Sequence, residues 1–296
     1  MAEQFESAER ITVDANGVSF TCLSMGEGPL ALCLHGFPDT AASWRYLLPA
    51  LAEAGYRAVA PWMRGYAPTS VPADGAYQTG ALATDAVALH EALDGDGDAV
   101  IVGHDWGAFA TYGAAALTPE RWRRVVAMSV PPAAALMSGM LTPDQLKRSW
   151  YIWFFQMAGL PEMVVPGGNF AFIDKLWREW SPGYDPGDEV AAVADALGAP
   201  EHLAAAIGYY RAMFNPAVHQ PHYAEAQAAT QMPTPQPTLY LHGADDGCLG
   251  VDMVAGVAAA LPAQGSRVEI VDSAGHFLHL EQPQQVNRLI TEFVGR

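Results

Sequence analysis

Positive charge is scarce in this chain. Lys and Arg number 15 against 32 Asp and Glu, and the formal charge is -17. A surface so acidic repels phosphate backbones and anionic headgroups, which weighs against nucleic-acid and membrane-surface partners. Cysteine is equally sparse. Cys22, Cys33 and Cys248 are odd in number and far apart, so they form neither a disulfide framework nor a zinc spacing. Cys33 sits in an apolar run and reads as a small core residue. No apolar run approaches membrane-spanning length, and MAEQFESAER lacks the basic-then-apolar pattern of a signal peptide. The expectation is a cytoplasmic protein. Internal repeats and low-complexity tracts are missing too. What remains is a chain of 296 residues, 51% hydrophobic and 16% charged, long enough for a full core without staples. No pattern distinguishes monomer from homodimer.

Short apolar runs alternate with helical periodicity, the signature of a mostly parallel sheet covered by helices on both faces. The segment 9–26 reads as a hairpin turning at Asn16-Gly17. PLALCLHG, YRAVAP, DAVIVGH and RVVAMSV read as strands, with helices between them from SWRYLLPALAEAG, TGALATDAVALHEALDG and GAFATYGAAALTPERW. Between Pro131 and about Pro237 the rhythm stops, and Pro and Gly break an aromatic- and Met-rich stretch into short helices. It resumes with TLYLHG, a helix near MVAGVAAAL, the strand RVEIVDSAG and a last helix, QPQQVNRLITEFV. The predicted architecture is an α/β core, residues 1–130 and 237–296, interrupted by a helical insertion at 131–236.

Gly103-His104-Asp105-Trp106-Gly107 follows one strand and opens a helix. A nucleophile elbow requires this strand–turn–helix context, with Asp105 at the nucleophile position. Small flanking residues suit the sharp turn, which pushes the central side chain out at the strand's end. The plain alternative is an ordinary turn with Asp105 as a helix cap. His35-Gly36-Phe37-Pro38 follows an earlier strand. In an elbow architecture such a loop supplies one oxyanion-hole N–H and the residue after the nucleophile the other, here Phe37 and Trp106. Asp245 and Asp246 follow the strand TLYLHG, and Gly275-His276-Phe277 follows the last strand. Nucleophile, acid, then His is the chain order of this architecture, which makes His276 the candidate base. The other eight histidines lack that context.

Together these residues resemble the α/β-hydrolase superfamily over nearly the whole chain. The Asp nucleophile resembles the branch of epoxide hydrolases and haloalkane dehalogenases. Arg64-Gly65-Tyr66 is similar to the R-G-Y-G stretch of epoxide hydrolases, with Trp62 and Ala67 departing from the usual Asp and Gly. The resemblance implies Asp246 as the acid, since the family's acid follows the strand's Gly by three residues. It implies two cap tyrosines: Tyr151, in Tyr151-Ile152-Trp153-Phe154-Phe155-Gln156, and Tyr210, beside Tyr209. Hydrolysis of an apolar epoxide to a vicinal diol follows, through an ester on Asp105 that His276-activated water cleaves. No metal or cofactor is called for. Trp153 and Phe154 in the cap, with Phe37 and Trp106, are the expected substrate contacts. Haloalkane or haloacid dehalogenation on the same three residues is an alternative, because Trp106 could serve a halide. So is a non-catalytic relative that binds an apolar ligand.

Overall fold

The computed structural model describes residues 8–295, so most of the leading segment read for a signal peptide lies outside it. Eight strands form one sheet: β1 (Glu9–Ala15), β2 (Val18–Met25), β3 (Leu30–Leu34), β4 (Arg57–Pro61), β5 (Val100–His104), β6 (Arg124–Met128), β7 (Thr238–Gly243) and β8 (Arg267–Val271). Their order across the sheet is β1-β2-β4-β3-β5-β6-β7-β8. The β1–β2 and β2–β4 pairs are antiparallel and the rest are parallel. The hairpin turns at Asn16 and Gly17, both with positive φ, as a tight two-residue connection requires.

Burial explains which strands are apolar throughout. β3, β5 and β7 are buried along their whole length, so they read as continuous Val/Leu/Ile runs. β1 lies at the edge and alternates exposed with buried residues near its end. On one side Thr79–Ala92, Trp106–Leu117 and Ala224–Ala229 pack together; elsewhere Leu47–Glu53 packs against Pro283–Val294. The last of these turns Val286, Ile290, Phe293 and Val294 inward, an i, i+4, i+7, i+8 stripe. Two expected helices begin as tighter coils. Ala41–Tyr46 and Val251–Gly256 are 3-10, followed by short α segments.

Between β6 and β7 the chain is helical, with no strand among the described residues. The fold is therefore an α/β-hydrolase core with an inserted helical cap. No single described helix is long and apolar enough to cross a membrane.

Chain order reverses at β3, whose neighbours are β4 on one side and β5 on the other. Such a switch point leaves a crevice beyond the carboxyl ends of the strands. His35–Pro38 follows β3 there, Asp105 follows β5, Asp246 follows β7 and His276 follows β8.

Candidate active site

Asp105 occupies the junction between β5 and the helix Trp106–Leu117 with φ 53 and ψ -118, a conformation L residues rarely adopt. Strain of this kind persists only where the surroundings enforce it. A Cβ on Gly107 would lie 2.0 Å from the carbonyl oxygen of Leu34, so the helix passes β3 too closely for any side chain. A Cβ on Gly36 would lie 2.3 Å from Asp105 Oδ1. That glycine lets the β3 loop close over the carboxylate, where the Phe37 N–H donates to Asp105 Oδ1 at 2.8 Å. Trp106 begins the helix, so its N–H belongs to the unpaired first turn, where the helix dipole favours negative charge.

His276 Nε2 lies 3.6 Å from Asp105 Oδ2, and its Nδ1 bonds Asp246 Oδ2 at 2.9 Å. Asp246 is fixed in turn. Its Oδ1 accepts from the N–H groups of Cys248, at 2.7 Å, and Leu249, at 2.9 Å. Asp245 is exposed on the same turn, whereas Asp246 is buried. The loop carrying His276 is tied down at its backbone: its N–H donates to Trp180 O at 2.9 Å, and its carbonyl accepts from Ser129 Oγ at 2.7 Å.

Electrostatics makes this trio one unit. Burial opposes charge on His276, but the carboxylates of Asp246 and Asp105 outweigh it and hold its pKa above the ordinary value. Burial likewise opposes ionisation of Asp105. The hydrogen bond and charge of His276, then His104 and the Phe37 N–H, reverse that and keep it below the usual carboxylate range. Asp246 is held down in the same way. Asp105 is thus an anion at neutral pH, available as a nucleophile without any base.

The two cap tyrosines meet over this carboxylate. The Tyr210 ring stands edge-on to Phe37 at 5.2 Å, to Trp106 at 5.0 Å and to Tyr151 at 5.7 Å. Its hydroxyl is buried with no hydrogen bond of ordinary geometry, the Trp106 side chain being the polar group that acts on it. Tyr209 turns away, and its hydroxyl donates to Arg64 O at 2.8 Å. The Arg-Gly-Tyr segment thereby separates the adjacent tyrosines. Arg64 itself is buried in a pairing with Asp85, at 2.5 and 2.6 Å. The Tyr151 hydroxyl lies 3.4 Å from Cys248 Sγ. Burial raises the pKa of both phenols, with the Asp105 charge adding to it, so both stay protonated.

An apolar cavity of about 410 Å³ is lined by Trp106, Ile152, Trp153, Tyr209, Met213 and Phe214, among others. Trp153 is in its wall and stacks on Phe214 at 5.0 Å. Phe154 does not line this cavity. Its ring packs on Phe172 at 5.4 Å, about 100° round the helix from Trp153. Phe37, Asp105, Tyr151 and Tyr210 are likewise not among the residues lining this cavity, which borders the site at Trp106.

Sequence reasoning gave no role to Cys248, Trp180, Ser129, His104 or His279, all of which touch the site or its supports. Only His104 carried a signal, as a member of the elbow quintet. His202 and His219 bond backbone carbonyls of Gly65 and Ala212, in keeping with packing roles.

A buried carboxylate at a strained elbow, an imidazole held by a second carboxylate and a facing N–H define a hydrolase of the α/β class. Residues 29–283 match the family model for the alpha/beta hydrolase fold, and the chain belongs to that family. Within it the chain falls in the epoxide hydrolase branch. It is 31% identical to Epoxide hydrolase A of Mycobacterium tuberculosis over 95% of this chain and 96% of that one. It is 30% identical to Epoxide hydrolase 4 of Homo sapiens, over 96% of this chain and 78% of the relative. A solved epoxide hydrolase from an endophytic Streptomyces superposes with a TM-score of 0.79 at 28% identity, covering 98% and 96% of the two chains.

One expectation follows for the acid partner. Asp246→Asn should lower turnover by roughly two orders of magnitude or more, since an amide cannot stabilise the imidazolium that a general base becomes. Asp245→Asn, on the exposed side of the turn, should be nearly neutral. Steady-state rates of the two variants check this, and the reverse ranking would identify the wrong carboxylate.

Proposed function

We propose that the protein hydrolyses an apolar epoxide to a vicinal diol, with residues 131–236 acting as a lid domain over the core. Asp105 attacks one epoxide carbon. The C–O bond breaks, and the alkoxide takes a proton from Tyr151 or Tyr210. The product of this step is an ester between Asp105 and the opened substrate. Water activated by His276 attacks the ester carbonyl, the oxyanion is met by the N–H groups of Phe37 and Trp106, and the diol leaves. Asp246 orients His276 and balances its charge.

The observation that carries this reading is a pair of buried phenols, Tyr210 and Tyr151, whose rings meet at 5.7 Å and which both lie within the field of the Asp105 carboxylate. A halide leaves as a stable anion and needs no acid, whereas an alkoxide needs a proton or strong hydrogen bonds. The apolar wall formed by Trp106, Trp153 and Phe214 supports an aryl or alkyl substituent. The names of the relatives point the same way. The composition supports a cytoplasmic protein.

Ester formation also frees the base. Once Asp105 is esterified its negative charge is gone, and one of the two carboxylates that hold a proton on His276 no longer does so. The pKa of His276 then falls, the proton it sheds restores the tyrosine that protonated the alkoxide, and the neutral imidazole can accept a proton from water.

The tyrosines supply the test against halide chemistry. Each donor to a developing alkoxide in a closed site is worth roughly 1.5–3 kcal/mol. Tyr151→Phe or Tyr210→Phe should therefore slow ester formation by roughly one to two orders of magnitude, with less effect on binding. The double variant should be slower than either. Tyr209→Phe, whose hydroxyl serves Arg64, should form ester at close to the parent rate. Pre-steady-state kinetics with an aryl epoxide reads all four. Parent rates in both single variants would make the phenols packing residues and turn attention to halide release.

A further inference from the structure

A second buried cluster lies against the base. The His104 ring is 4.8 Å from that of His276 and 4.8 Å from that of His279. Asp39 Oδ2 is 3.9 Å from His104 Nδ1 and 4.0 Å from His279 Nε2. All three side chains are within a few per cent of full burial. Asp39 Oδ2, His104 Nδ1 and both His279 ring nitrogens lack hydrogen-bond partners. These atoms come from three distant segments: the loop after β3, the end of β5 and the helix Leu278–Glu281.

The tautomer of His104 follows from its other nitrogen. His104 Nε2 lies 2.9 Å from the backbone carbonyl of His276, the same oxygen that Ser129 holds. A carbonyl only accepts, so Nε2 carries a hydrogen. In the neutral ring Nδ1 is then bare, and its lone pair faces the Asp39 carboxylate. Two acceptors facing each other in a buried site repel. One added proton resolves the conflict.

We infer that Asp39 and His104 hold one shared proton, and that through it they act as positioning residues which keep the carbonyl, and hence the loop, of the catalytic base in place. This rests on the ester-hydrolysis reading given above. The proton belongs on the carboxyl. Burial pushes Asp39 up to about 7, and burial with the adjacent His276 pushes His104 down to about 3. The protonated carboxyl then donates toward Nδ1. The 3.9 Å gap is one side-chain adjustment, or one bridging water, from a hydrogen bond.

The surroundings agree. Thr40 N–H donates to Asp39 Oδ1 at 2.7 Å, and the Ser43 hydroxyl also faces the carboxyl. Arg45, which would favour the anion, is paired with Glu189, whose charge opposes it. His279, its ring tilted against Trp44 at 4.9 Å, is kept neutral by burial and then by His104 and Arg45. Asp105 and Asp246 act on His104 from the triad side and favour its protonation, but burial dominates.

When the shared proton leaves at alkaline pH, the anionic Asp39 draws the one remaining ring hydrogen of His104 to Nδ1. The bond from Nε2 to the His276 carbonyl is then lost, and ester hydrolysis slows while ester formation does not. An asparagine at position 39 offers an N–H to Nδ1 at every pH and removes this dependence.

Two measurements test the inference. In single-turnover experiments with an aryl epoxide, the parent should lose about two- to tenfold in ester-hydrolysis rate from pH 7 to pH 9, with no matching loss in ester formation. Asp39→Asn should abolish that alkaline fall. The second readout needs no turnover and stands whatever the substrate. Nitrogen-15 chemical shifts of His104 in the resting protein should report the Nε2–H tautomer at pH 6 and the Nδ1–H tautomer at pH 9. Asp39→Asn should keep Nε2–H throughout. An unchanged His104 tautomer in the parent, an alkaline fall retained in Asp39→Asn, or a stoichiometric divalent metal in the purified protein would each overturn it. A parent that opens no epoxide, yet shows the His104 switch, would instead refute the reaction and leave the shared proton standing.

Discussion

Asp105→Ala is expected to lower epoxide turnover by at least about 10⁴-fold while leaving the fold intact, because no other side chain can form the ester. The carboxylate is the one nucleophile at the elbow, ionised by His276 and aimed by φ 53 at the site. Its removal has opposing effects on stability. The desolvation of a buried carboxylate is relieved, while His276 and the Phe37 N–H lose the partner they hold as an anion, and the positive-φ strain is the same in both proteins. The melting temperature should therefore move by only a few degrees in either direction. Diol release and thermal unfolding measured on the same preparation check both halves. Residual activity above about one per cent, with normal unfolding, would mean that another group carries the nucleophilic step.

His276→Gln separates the two half-reactions. A carboxylate needs no base, so the variant should form one equivalent of ester and then stop. Steady-state turnover should fall by about two to four orders of magnitude. Intact mass should show the protein plus one substrate, persisting for minutes. On the acidic side, ester hydrolysis in the parent should rise with pH as His276 loses the proton that Asp246 alone now holds, before the alkaline fall set by Asp39. That acidic limb should vanish in the variant. A His276→Gln protein that turns over at the parent rate, or never accumulates ester, would remove His276 from the mechanism.

The core was readable because burial on both faces leaves little choice of residue. LALCL, VIVGH and TLYLHG could only be interior strands, and their spacing set the switch point. Asp105 was readable because it directly follows such a strand, whereas His276 comes five residues after the partly exposed edge strand β8 and was marked by its place in the chain order. Asp246 against Asp245 was decided in the sequence only by resemblance. In the structure one is buried at 2.9 Å from Nδ1 and the other is exposed. Tyr210 against Tyr209 depended on a carbonyl 145 positions away, that of Arg64. Phe154 illustrates the limit of an aromatic-rich run on a helix. Composition announced an apolar wall, but which rings face it is set by the turn of the helix and by Phe172. The Asp39, His104 and His279 cluster had no linear signature as a cluster, since it exists only where a loop, a strand end and a helix converge.

The central claim is that the hydrolytic oxygen passes through Asp105. Several turnovers in water enriched in oxygen-18, followed by digestion and mass spectrometry, test it directly. The account predicts one heavy oxygen built into the peptide containing Asp105, because water attacks the ester at the carbonyl carbon of that side chain, and unlabelled oxygen in the first diol released. Heavy oxygen in the diol from the first turnover, with none in the Asp105 peptide after many, would contradict it.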